Sequence, residues 1–454
     1  MNYSCHLPRT FLVIQSSISR KISFCQITPV DASFHCRPLF QLFRNRSTLF
    51  VNHKTMVDYE ESSHLNQWLF TELELEECRA KANHNARVWL TDGDKSTGSP
   101  PTSYFACHYS KNKKEHPEDY HDKNHYLSQG PWQNTKGNDF LKPEEESTLI
   151  AFYASKIPAL IGPKASVSRL RRESKVTATA ALLYRRFFLS NSVHLFDPKA
   201  VMVAAAFLAA KVEDAMVDVR YLQEGTERMQ APVTQQEIIS AELQLLQGCH
   251  YDLLCFHPFK SVLALTEDLR TFLKSEKGLN LVSRPISGQD LKPIYDKSRV
   301  ILEKAINSDL TLLYSPGPIG MASLIVAQDE VLEKADGSAP KIDFYGYIQQ
   351  RFPEKNSGHV LKVLPELCQK IKALPLAIEM TSEKAMVALK QCHKKLKKVR
   401  AWGATSEKKK KKKSKSRATT PVPTAALSTE DPPSAKDVEV AMPPPKKVKV
   451  EEPS

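Results

Sequence analysis

Two short runs of this 454-residue chain hold side chains whose types and spacing suit them to recognition. They are Leu208-Ala-Ala-Lys211-Val-Glu213 and Glu242-Leu-Gln-Leu-Leu246-Gln-Gly-Cys-His-Tyr251-Asp-Leu253. Leu208, Lys211 and Val212 fall at i, i+3 and i+4, so one helical face presents two apolar groups beside an ammonium. Glu242 and Leu246 are likewise one turn apart. Taken singly, Lys211 reads as a cation complementing a helix C-terminus, and Glu242 as an exposed helix residue. Cys249, His250, Cys255 and His257 are all capable metal ligands, but their spacing matches no zinc template, so no metal and no cofactor is expected. His108, His116, His121 and His125 read as a solvated loop. There is no GxGxxG, HExxH, P-loop or G-x-S-x-G, so the chain is not expected to be an enzyme.

The elements that would carry these residues are helices. Thr71 and Glu74 have the spacing of a capping box ahead of a helix through Leu73, Cys78 and Ala82. Pro143 followed by three glutamates is a helix entry. A second helix is expected over about Val167 to Leu189, with Val176, Ala180, Leu183 and Phe187 on one face. A third begins at Asp197-Pro198 and reads Val201 to Ala210 without a polar residue, so other helices must surround it. A further helix runs from about Thr234 to Leu246. The pattern then recurs: a long amphipathic helix, about Asp290 to Tyr314, meets Ser315-Pro316-Gly317-Pro318, and a small-residue helix follows from Met321 to Ala327. Two units of roughly a hundred residues, each with one helix apolar all round, suggest a duplicated helical bundle.

Scarce Gly, 15 residues, argues against a turn-rich β fold. The longest apolar run, Val201 to Ala210, is half of the roughly 20 residues that cross a bilayer, so no membrane partner is expected. Nine cysteines without a Cys-x-x-Cys fit reduced thiols. The net charge of +13 concentrates at the ends. Residues 1–55 carry seven Lys/Arg and one acid, and the segment from Ala404 holds twelve Lys/Arg against seven acids, leaving only +2 between them. A sequence-specific nucleic-acid surface is therefore not expected in the middle.

Segment 1–55 resembles an organelle transit peptide or an upstream extension of the gene reading. The second is preferred, with Met56 as the working start. The remaining boundaries are an amino-terminal helix at 56–90, a polar insertion at 91–140, bundles at 141–256 and 257–375, a carboxy-terminal helix at 376–403 and a disordered tail at 404–454. In that tail Lys408, Lys409, Lys410, Lys411, Lys412 and Lys413, and the cluster Lys446, Lys447 and Lys449, read as nuclear import signals, or as nonspecific phosphate binders.

These residues resemble the cyclin family. Leu208-Ala-Ala-Lys211-Val-Glu213 is similar to the family's L-A-x-K-x-E/D signature, and the run from Glu242 to Leu253 is similar to its E-x-x-L-L-x-x-L-x-F-x-L pattern, followed by His257-Pro258-Phe259. Within the family, Trp68-Leu-Phe-Thr with Arg79-Ala-Lys-Ala-Asn83, Arg185-Arg186-Phe187-Phe188-Leu189-Ser-Asn-Ser-Val193, and Ser308-Asp309 to Ser315-Pro316 resemble the cyclin H group. Val212 stands where many cyclins have Phe, and Val167-Ser-Arg-Leu170 replaces the family's substrate-docking patch.

The resemblance implies an all-α protein of tandem cyclin-box five-helix bundles with flanking helices. It implies a regulatory, non-catalytic subunit that binds a cyclin-dependent kinase, of type 7, with a RING-finger assembly factor and general transcription factor IIH, in the nucleus. By the same resemblance, Lys211 and Glu242 would hydrogen-bond main-chain groups of the kinase, over an apolar floor of Leu208, Val212, Leu246, Tyr251 and Leu253. Other transcriptional cyclins of C, K, L or T type are an alternative. A DNA-binding core of the transcription factor IIB type is another, less favoured because it usually carries a zinc ribbon and a basic core.

Overall fold

Short polar caps, rather than propensity, set where the helices begin. The computed structural model describes residues 59, 61–92, 121–334, 340–352, 354–374 and 382–416. Segment 1–55, His108 and His116, and Lys446, Lys447 and Lys449 lie outside the described residues. Two helices open the described chain, α1 (Ser63–Gln67) and α2 (Glu72–Asp92). The capping box at the start of α2 is as expected: the Thr71 amide donates to Glu74 Oε2 at 2.9 Å, and the Glu74 amide donates to Thr71 Oγ1 at 3.3 Å.

The expected insertion is in part folded. Helix α3 (Lys123–Ser128) and an isolated bridge between Gln133 and Asp139 pack back onto α2. The organiser is Arg87, which is fully buried. Its guanidinium donates to the carbonyls of Tyr126 and Gln129 at 3.0 Å each and of Pro131 at 3.3 Å, and it lies 3.6 Å over the Trp132 ring. One long cation thereby satisfies a loop that has little apolar area of its own. His121 and His125 stack on the outer side of this segment, ring centroids 3.8 Å apart.

The first bundle follows: α4 (Pro143–Ala154), α5 (Ile157–Ile161), α6 (Ser174–Ser190), α7 (Pro198–Val212), α8 (Val219–Arg228) and α9 (Gln235–Gly248). α7 is its axis, touched by α4, α5, α6, α8 and α9. This explains why its residues from Val201 to Ala206 are all buried. Alanines there let the surrounding axes approach closely. Helix α6 starts later than the spacing suggested, because residues 168–170 form a separate 3-10 turn. That turn is tied down by Arg172, whose guanidinium reaches the carbonyls of Ala215 and Met216, each at 2.7 Å.

The second bundle repeats the plan with α10 (Pro258–Phe272), α11 (Glu276–Leu279), α12 (Gly288–Ile306), α13 (Leu310–Leu313), α14 (Pro316–Lys334), α15 (Phe344–Arg351) and α16 (Glu354–Lys372). Its axis is α14, which packs against α10, α12 and α16. The expected single helix from Asp290 to Tyr314 is broken at Asn307–Asp309, where Asp309 turns into the body to meet two arginines. One continuous apolar core runs through both bundles.

Helix α17 (Glu383–Ser416) closes the chain. It lies against the first bundle through Leu389, Cys392, Leu396 and Val399, all buried. The compact unit ends at Thr405, yet the helix continues through the lysine run, beyond the Trp402 limit expected from composition. Lysine is a good helix former, and extending a helix already nucleated by packing costs little.

Close packing makes one glycine diagnostic. A Cβ at Gly248, in the last turn of α9, would fall onto the Phe187 ring and within 3.0 Å of Asn191 Nδ2. Gly248→Ala should therefore cost about 1–3 kcal/mol by overpacking. Denaturant titration should show a lowered midpoint with an unchanged slope.

Candidate partner-docking surface

Lys211 stands in the last turn of α7, and Glu242 in the middle of α9. Adjacent packing of these helices brings the two together: Lys211 Nζ lies 2.7 Å from Glu242 Oε1 and 3.0 Å from Oε2. The ammonium also sits 4.0 Å over the Phe207 ring. The side chain of Lys211 is 38% exposed and that of Glu242 12%, so the pair is open on one side only. A partner approaching that side meets an ammonium and a carboxylate already held in place.

The expected apolar floor divides. Val212, Leu246 and Leu253 are half-buried and pack on the core while keeping one side outward. Tyr251 is 62% exposed. Leu208 is a correction. It is 4% exposed and belongs to the interior, because α7 is surrounded and only its final turn reaches the surface.

The spacing rule overlooked other apolar groups on these elements. Ile239 and Leu243 in α9 are 49% and 55% exposed, and Met216, in the turn after α7, is 71% exposed. Phe207 is half-buried. A signal for one of them is present in the doublet Ile238-Ile239. Ile238, Ala241 and Leu245 already fill the core side of α9, so Ile239, Leu243 and Leu246, four and three residues apart, form an apolar stripe that the fold does not need.

The backbone around the site is held firmly. The α7 end is closed by Asp214 at φ 52° and by the Ala215 amide donating to Ala210 O at 2.8 Å. Glu213 accepts from Thr179 Oγ1 at 2.5 Å, and Thr179 Oγ1 lies 2.7 Å from His257 Nε2. Burial holds His257 below the ordinary histidine range, with the Glu213 carboxylate opposing in part. Burial pushes Glu213 upward, but the neighbouring His257, 3.8 Å away, and the hydrogen bond from Thr179 outweigh it, so Glu213 stays a stronger acid than usual. A neutral imidazole donating through Thr179 to a carboxylate satisfies all three groups.

Beyond α9 the chain reverses through His250 and Tyr251, both in the left-handed region at φ 56° and 59°. Two successive non-glycine residues there cost about 1–2 kcal/mol each. The amino-terminal segment holds the turn in place. Asp252 accepts from Ser63 Oγ at 2.5 Å and Trp68 Nε1 at 2.6 Å, and the Phe256 amide donates to His64 Nδ1 at 3.0 Å. Burial, and then the neighbouring Arg186 charge, keep His64 neutral, as that accepted bond requires. Arg186 donates to Asp252 O and Leu254 O and stacks over Trp68 at 4.7 Å. The strained turn is thus fixed by α1 from below while Tyr251 faces outward.

The four residues considered as a metal set are separated by their duties: Cys249 Sγ donates to Leu183 O, and His257 faces Thr179. No group of three or more potential ligands gathers among the described residues. The five described cysteines are free thiols. No helix among the described residues is long and apolar enough to cross a membrane.

Two packed helical bundles, with a lysine and a glutamate paired at the surface where α7 and α9 meet, define a cyclin fold, and the cyclin N-terminal domain family matches residues 165–254. Its similarity is to the cyclin family. Within it the similarity is to cyclin H. Cyclin-H1-1 of Arabidopsis thaliana is 25% identical over 345 residues, covering 75% of this chain and 88% of that protein. Cyclin CCL1 of Saccharomyces cerevisiae is 27% identical over 218 residues, covering 48% of this chain and 47% of that one. Among solved structures, a chain of the CAK complex from Chaetomium thermophilum bound to ATP-gamma-S superposes with a TM-score of 0.53 at 20% identity, covering 81% of this chain and 98% of that one. That likeness supports the tandem-bundle fold.

Proposed function

We propose that this chain is the regulatory, non-catalytic subunit of a cyclin-dependent kinase of type 7. Its binding partners would include a RING-finger assembly factor and general transcription factor IIH, and it would act in the nucleus on transcription and the cell cycle. The observation that carries this reading is the Lys211–Glu242 pair, 2.7 Å apart and open on one side, with Ile239, Leu243, Met216 and Tyr251 exposed on the helices and turns that hold it. A kinase is active only when the Lys–Glu pair that orients the ATP phosphates is formed, which requires its regulatory helix to be swung inward. A protein that binds the inward conformer better than the outward one shifts the population toward it by the difference in affinity. Lys211 and Glu242 supply charge-assisted hydrogen bonds for main-chain groups of that helix, and the apolar side chains supply area. Lys408 to Lys413, and Lys446, Lys447 and Lys449, serve nuclear import.

Affinity capture of tagged full chain, followed by mass spectrometry and a kinase assay on a polymerase-tail peptide, tests the reading. A cyclin-dependent kinase should be recovered with activity, and recovery of none would remove the reading. Leu243→Asp, on the exposed stripe, should cut kinase recovery at least about tenfold. As an exposed substitution it should change stability by no more than about 0.5 kcal/mol, which thermal unfolding checks.

A further inference from the structure

We propose that the outer face of α17 binds double-stranded DNA along its phosphate backbone without reading sequence. The helix has two unlike sides. The inner side is buried through Leu389, Cys392, Leu396, Val399 and Trp402. Two of its cations serve the fold: Lys395 pairs with Glu145 at 2.7 Å, and Arg400 donates to Val193 O at 2.6 Å and Phe196 O at 2.7 Å. On the outer side Lys390, Lys394, Lys397 and Lys398 are exposed. Their spacing of four, three and one residues makes one stripe along the axis.

The charge of the chain resides largely on this element. Residues 383–416 hold fourteen lysines and arginines against two glutamates, an excess of twelve, where the entire chain has +13. Half of that excess precedes Ala404, so the basicity is not confined to the tail as composition suggested. Like charges one turn apart cost a helix a few tenths of a kcal/mol per pair, so the stripe does nothing for folding. It complements a dense polyanion, and duplex DNA carries one negative charge per about 1.7 Å of axis.

Chemistry selects among polyanions. Lysines are point charges suited to phosphate, whereas base readout favours the planar fork of arginine. No exposed aromatic side chain is present among the described residues of α17, and single-strand binders use such rings to stack bases. Val387 is its one exposed large apolar side chain among the described residues, too little for the core of a protein interface. Arg400 and Asp197, 3.6 Å apart, fix α17 at the first turn of α7, whereas Lys211 lies in its last turn. The two surfaces are therefore separated by most of the helix, roughly 20 Å at 1.5 Å per residue. Kinase and DNA would bind together, which holds the kinase at its template.

The test is salt-titrated fluorescence anisotropy of the full chain on a duplex of about 30 base pairs and arbitrary sequence. It compares wild type with the variant Lys390→Gln, Lys394→Gln, Lys397→Gln, Lys398→Gln, in which the downstream lysine run is intact. Each lost phosphate contact lowers the slope of log K against log salt by about 0.9, so the variant should lose about three to four units of slope. Its helical content and its kinase activation should be those of wild type. An unchanged slope would overturn the proposal. So would failure of wild type to bind duplex at about 50 mM salt, or stronger displacement of duplex by single-stranded RNA or by an acidic polypeptide than by unlabelled duplex.

Discussion

The double variant Lys211→Ala, Glu242→Ala is expected to bind its kinase about thirtyfold to several thousandfold more weakly while keeping its helical content. Truncating charged groups in a desolvated interface typically costs about 2–5 kcal/mol, and each 1.4 kcal/mol is a factor of ten. The same pair contributes little to the isolated fold. It joins neighbouring helices at the surface with the Lys211 side chain 38% exposed, and such pairs are worth about 0–1 kcal/mol. Binding measured by biolayer interferometry, with circular dichroism alongside, separates the two roles. Lost helicity with retained binding would make the pair structural.

The second large effect lies away from that surface. Asp309, at the break between α12 and α13, accepts from Arg185 on α6 at 2.5 Å and from Arg79 on α2 at 2.8 Å. One carboxylate therefore joins the first bundle, the second bundle and the amino-terminal helix. Arg185 is itself nearly fully buried. Asp309→Ala leaves two cations facing each other without their counter-charge; the carboxylate is one-third exposed, so the cost falls below that of a fully buried pair, at about 1–3 kcal/mol. Thermal unfolding should show a drop in midpoint, and the double variant Asp309→Ala, Arg185→Met should recover part of it. Burial raises the Asp309 carboxyl, but Arg185 and Arg79 outweigh it and hold it well below the usual carboxylate range. With a folded-state value below the unfolded one, the stabilisation is complete at neutral pH. It begins to fall only below about pH 4, where the unfolded carboxyl takes up its proton. The stability difference between wild type and Asp309→Ala should accordingly be flat from pH 8 to 5 and shrink in stronger acid.

The parts of this fold legible in the sequence were those fixed by local chemistry. Capping residues such as Thr71 and Asp197 place helix starts because a side-chain oxygen must meet a free amide nearby. Val201 to Ala210 announced a surrounded helix because no polar face was left. The pairing of Lys211 with Glu242 was readable only by resemblance, since 31 residues separate them and nothing local brings α7 beside α9. Leu208 was misplaced because the i, i+3 rule assigns a common stripe without saying where that stripe passes from interior to surface. The break at Asn307–Asp309 escaped because its cause is a tertiary ion cluster with partners 124 and 230 residues away. The folding of residues 121–140 escaped for the same reason: Arg87, far upstream, supplies the donors that a polar segment needs.

Taken together, the geometry makes α7 and α9 a preformed surface, with the neutral His257, the caps and α1 holding its turns rigid before any partner arrives. Hydrogen–deuterium exchange of the full chain, alone and with a purified cyclin-dependent kinase of type 7, tests this most directly. Slowed exchange should centre on residues 207–217 and 239–254, with α14 and α16 unchanged. Protection confined to the second bundle, or absent throughout, would contradict the assignment of that surface to kinase binding.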